Sequence, residues 1–156
     1  SSDDDSLSDF FFVPDRDILF WEGTSSCQEE AVFLASSSDE VWTTQLDTYG
    51  CPKAISYSSK SPRLVSTAEH DLLYFQKMGQ IHYLYAKDSD LLQWEPEEET
   101  RSLILEWDDG TEIGLDDFRI GSMAFDASDL LYFSFQAPDI SSEQYSTLSV
   151  ATLINP

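Results

Sequence analysis

The stretch DLLYFQKMGQIHYLYA, residues 71–86, limits the fold more than any other. Side chains on a strand alternate between its two faces. In DLLYF, Leu72 and Tyr74 point one way while Leu73 and Phe75 point the other. In IHYLYA, Ile81, Tyr83 and Tyr85 oppose His82, Leu84 and Ala86. Apolar residues on both faces require that both faces be covered. A barrel or two-layer sandwich leaves one polar face, whereas sheets stacked on neighbours at both sides do not. Antiparallel sheets with that property are the blades of propellers.

The rest of the chain reads the same way. Short β-branched and aromatic runs recur between Ser, Asp and Gly, and no helical period persists beyond about ten residues. Expected strands are Ile18–Trp21, Ala31–Ala35, Val41–Leu46, Ala54–Tyr57, Leu64–Thr67 and Leu72–Gln76, then Ile81–Ala86, Leu103–Trp107, Glu112–Leu115, Ser122–Phe125, Leu130–Phe135 and Thr147–Leu153. Met78-Gly79 and Asp109-Gly110 suit tight hairpins that need positive φ. The motif DLLYF occurs at 71–75 and again at 129–133, each time after a short strand and an acidic turn, and residues 31–47 follow the later half of the same order. Four strands and roughly 45 residues per blade divide the chain into about three blades. They lie near 16–60, 61–118 and 119–156, behind a solvated acidic tail at 1–15. Three blades do not close the usual ring, so the expectation is a partial propeller or one completed by another chain or copy. A lipocalin-like β-barrel is the alternative that suits the length.

Charge narrows the partners. The chain carries 30 Asp and Glu against 8 Lys and Arg, a formal net charge of −22. Nucleic acid needs clustered cations along the binding surface, and anionic membrane surfaces repel such a chain. The longest apolar run, Phe10–Val13, is far short of the ~20 residues that cross a bilayer. A small cationic molecule or a basic protein surface is the expected partner.

Cys27 and Cys51 match no zinc or CxxC spacing, which leaves a structural disulfide or two buried free thiols. No nucleophile elbow, phosphate loop, HExxH or dinucleotide glycine pattern is present. His70 reads as a turn histidine and His82 as a buried, hydrogen-bonded one. EPEEET, 95–100, reads as a solvated loop or a surface for a basic partner.

Cys27 followed by VWTTQLDTYGCPKAISY, 41–57, resembles the yellow and major royal jelly protein family. The matching places are Val41-Trp42, Leu46-Asp47, Gly50, Cys51 and Pro52-Lys53. A second block, 108–138, is similar to another blade of that family at Gly121, Met123-Ala124, Leu131-Tyr132-Phe133-Ser134 and Ala137. The resemblance implies a six-bladed propeller, a Cys27–Cys51 bridge, an extracellular location and a small-ligand site at the tunnel mouth. Some members bind biogenic amines, some act on dopachrome-type pigment precursors, and others store or bind partners.

Binding is therefore expected before catalysis, with a yellow-like enzyme or a subunit of a larger assembly as alternatives. Glu22, Asp47 and Asp126 fall at expected strand ends, where carboxylates suit an ammonium or Ca²⁺. Trp42, Tyr49, Phe125 and Phe135 are candidates for an aromatic wall beside them. No other cofactor is expected.

Overall fold

The computed structural model describes residues 6–25, 27, 29–105, 109–112, 114, 119–128, 130–136 and 147–150. Among them the regular structure is all antiparallel β, apart from one 3₁₀ turn at Glu97–Glu99. The first sheet holds β1 (Ser6–Val13), β2 (Ile18–Thr24), β3 (Ala31–Ser38), β4 (Val41–Thr44) and β5 (Ala54–Tyr57). The second holds β6 (Ser59–Ser66), β7 (Asp71–Lys77), β8 (Gln80–Lys87), β9 (Asp90–Trp94) and β10 (Arg101–Leu103). The third holds β11 (Arg119–Phe125), β12 (Leu131–Gln136) and β13 (Thr147–Val150).

One strand plan recurs. In each of the first two sheets three strands meander in chain order, and the far edge of the third strand is shared by two short ones. β4 lies along Ala35–Ser38 of β3 and β5 along Ala31–Phe33. β9 meets β8 at Ala86 and Lys87, and β10 meets it at Ile81–Tyr83. The third sheet repeats the meander. Each opening strand also carries one register shift, between Leu7 and Asp9, Lys60 and Arg63, and Ile120 and Met123.

The sheets pack face to face in chain order. Ile18, Phe20, Val32 and Leu34 of the first meet Leu73, Phe75 and Leu84 of the second. On its other face the second sheet offers Leu72, Tyr74, Ile81 and Tyr85 to Ile120, Leu131 and Phe133 of the third. The middle sheet is thus apolar on both sides because both sides are core, as the alternation in 71–86 requires. Each such Leu or Phe contributes about 2 kcal/mol on burial.

Two-residue turns with positive φ at both positions join β3 to β4 (Asp39-Glu40), β7 to β8 (Met78-Gly79) and β8 to β9 (Asp88-Ser89). Such turns match the twist of the flanking strands. Asp109-Gly110 also forms a turn, Asp109 Oδ1 accepting from the Thr111 N–H at 2.8 Å, but residues 106–108, 113 and 115–118 lie outside the described residues.

Several expectations need correction. Residues 6–13 are not tail but β1, paired along its length with β2. The acidic letters hid an edge strand whose Phe11 and Val13 pack on the core. β9 was not expected, since its five residues alternate poorly. β4 stops at Thr44, and Leu46 forms only an isolated bridge to Pro52. The first two sheets have five strands rather than four, because the outer strand is split. The described strands form three separate sheets rather than one closed barrel. No helix among them is long and apolar enough to cross a membrane.

Candidate functional site

Chemistry-bearing side chains gather at one end of the second sheet. Thr67 shapes the β6–β7 loop: its N–H donates to the His70 carbonyl at 2.8 Å, and its Oγ1 accepts from the His70 N–H at 3.0 Å. This sets the His70 ring edge-on to Tyr85, with centroids 5.1 Å apart. Arg101, at the start of β10, lays its guanidinium over the Tyr85 ring at 4.5 Å and donates from Nη1 to Glu95 Oε2 at 2.7 Å. The Glu95 hydrogen bond is the main cause that raises the Arg101 pKa. Burial, first, and the neighbouring Tyr83 raise that of Tyr85. His70, Tyr85, Glu95 and Arg101, with Glu69, Asp71, Lys87 and Asp88, line an open hollow of about 540 Å³. A second hollow of about 670 Å³ shares Lys87 and Glu95, and runs over Leu34, Ile55 and Trp94 between the first two sheets.

A polar seam joins the opening strands of the three sheets. Arg63 on β6 donates to Asp9 on β1 at 3.1 Å, and to the carbonyls of Ile120, also at 3.1 Å, and Gly121 on β11. Glu22, only 1% exposed, accepts from the Ser61 N–H at 2.8 Å and from Arg119 at 2.6 Å. Gln76 does the same work one sheet on, its Oε1 accepting from the Ile120 N–H at 2.7 Å. The seam is fully engaged in joining sheets, so Glu22 is a framework residue rather than a ligand group.

No family model, curated protein or solved structure matches the chain. The functional reading rests on the geometry.

The residues expected to bind ligand fall into two groups. Trp42 sits on β4, edge-on to Phe12 at 5.7 Å. Asp47 caps its own loop, Oδ1 accepting from the N–H groups of Tyr49 at 2.8 Å and Cys51 at 3.0 Å. Tyr49 is 90% exposed at the tip of that loop. On the third sheet, Phe125 packs on Tyr74, with centroids 6.4 Å apart. Asp126 accepts from the N–H groups of Ser128 and Leu130 and from the Tyr132 hydroxyl. These bonds, led by the Leu130 N–H, hold its pKa below the usual carboxylate value. Phe135 lies on β12 opposite Ile120, and its side chain is outside the described residues. No hydrogen bond or ring contact among the described residues links the first group to the second.

Cys27 and Cys51 are bonded to each other, tying the β2–β3 loop to the 47–51 turn. Among the described residues no group of three or more His, Cys, Asp or Glu is placed to hold a metal ion. EPEEET is more than a solvated loop. Glu95 holds Arg101, and Glu97 Oε1 accepts from Lys77 and from the Tyr57 N–H. Sequence reasoning placed His70 at a turn, as found, but missed Tyr85, Glu95 and Arg101 as a site. Their one signal was Glu95, a charged residue directly after Trp94 at the end of β9.

Proposed function

We propose that this chain is an extracellular, propeller-type binding module that takes a small cationic ligand at the hollow beside Tyr85. One observation carries the reading. The protein's own guanidinium already lies there, over an aromatic ring and against a carboxylate, the arrangement that favours organic cations. With Arg101 and Glu95 paired, the remaining rim of Glu69, Asp71, Asp88 and Lys87 is net acidic, in a molecule of formal charge −22. The Cys27–Cys51 disulfide supports an oxidising compartment. The recurring strand plan supports blades, and kinship with the yellow and major royal jelly proteins rests on the strand, turn and cysteine order of 41–57.

Titration calorimetry with dopamine and serotonin tests the function. Heat at millimolar amine, lost in Glu69→Gln/Asp88→Asn, is the expected result. A silent titration with the native chain overturns it.

A further inference from the structure

We infer that the outer face of the first sheet is a docking face for a second copy of this chain, joined head to tail.

That face carries Phe10, Phe12, Leu19, Trp21 and Trp42, none of which belongs to either core cluster, over a fully buried Phe33. Phe10 is 56% exposed, Phe12 44% and Trp42 43%. Scattered exposed hydrophobes are ordinary, but contiguous aromatic faces mark interaction sites. This one is contiguous: Trp21 stacks on Phe33 at 4.2 Å, and Phe12 meets Trp42 edge-on.

The molecule itself shows what such a face packs against. The second sheet lies on the first through a cross-strand pair, Leu64 and Leu73, followed two residues on by Phe75. The third lies on the second through the pair Phe125 and Leu131, followed two residues on by Phe133. The first sheet has the same device, the pair Phe12 and Leu19 followed two residues on by Trp21. Here it faces away from the other two sheets. It is the back of a sheet made to lie on the front of another.

The matching front belongs to the third sheet. In the two DLLYF copies the tyrosines Tyr74 and Tyr132 occupy the same place in the motif. Tyr74 is 0% exposed under the third sheet, as is Phe20 of the first sheet under the second. Tyr132 is 38% exposed, and its cross-strand neighbour Ala124 is exposed as well. Among the described residues no sheet lies on this front and none lies on the back of the first sheet, and these are the two halves of an interface already made twice inside the chain. Two copies satisfy both halves by a two-fold, closing six sheets into one ring. The copies repel each other through their charge of −22, so salt should strengthen the pairing.

The inference uses the sheet repeat and not the hollow, so it is tested separately from amine binding. Light scattering on the eluting 156-residue chain should give twice the 17.7 kDa chain mass, more completely at high salt. Phe10→Glu/Trp42→Glu and, separately, Tyr132→Lys should each give monomers whose circular dichroism and unfolding remain native. Mixing the two variants should restore a dimer, because one intact back then meets one intact front. A native chain that stays monomeric at every salt overturns the proposal. So does a Tyr132→Lys variant that still dimerises, which would mean back-to-back contact.

Discussion

Arg63 is a single side chain doing what hydrogen-bonded ladders do elsewhere, since its fork reaches β1 and β11 from β6. Charge-assisted bonds of this kind contribute about 1.5–3 kcal/mol each before mutual dependence. Arg63→Ala should therefore lower the unfolding free energy by about 3 kcal/mol, read by urea denaturation. Arg63→Lys should recover only part of this, because an ammonium lacks the planar fork. Glu22 and Gln76 make a natural comparison, each accepting a backbone N–H from the next sheet. Glu22→Gln keeps that bond and loses the Arg119 pairing, so it should cost less than Glu22→Ala, by about 1–2 kcal/mol. His82 gives a pH signature. Burial, then the Lys77 charge, lowers its pKa, so the unfolded chain takes up the proton at a higher pH than the folded one. Stability should fall as pH drops from about 6.5 toward the lowered folded value. Measured against the native profile over that range, His82→Gln should remove this decline. None of these roles was visible in the letters, because Glu22 and Arg119 stand 97 positions apart and meet only when three sheets have stacked.

At the level of elements, the turns and the disulfide decide the edges. Glu40 takes φ 66° and Ser89 φ 59°, a left-handed backbone that costs a non-glycine residue about 1 kcal/mol. Asp39→Asn/Glu40→Gly supplies the preferred pair for this turn. It should raise the unfolding free energy by about 1 kcal/mol in the same denaturation assay. Met78-Gly79 was legible because glycine announces it, whereas Asp39-Glu40 and Asp88-Ser89 use residues that do not. β1 was obscured in the same way by the aspartates around it. The Cys27–Cys51 bridge closes a loop of separation 24, and loop-closure entropy assigns such a bridge about 3 kcal/mol. Cys27→Ser/Cys51→Ser should lose about that much, with β4 and the 47–51 turn the first region to open in hydrogen exchange.

For the molecule as a whole, the two-faced alternation in 71–86 was the most legible feature, and it correctly required a sheet covered on both sides. The hollow was not legible, because its lining comes from four separate pieces of chain around one end of the second sheet. The same distribution of charge that makes a cationic partner attractive also strains the compact state. Raising NaCl from about 0.05 M to about 0.5 M should therefore raise the melting temperature, measured at low protein concentration so that association does not contribute. A further consequence lies in the order of assembly. Among the described strands, every ladder is built from one continuous length of chain, 6–57, then 59–103, then 119–150. Each sheet can zip up from its own hairpins as it leaves the ribosome, without waiting for a distant partner, so loop-closure search is short. The vulnerable interval is the one in which the first sheet has formed and the second has not. Both its faces are then wet and aromatic, and it is then that a chaperone would find most to hold.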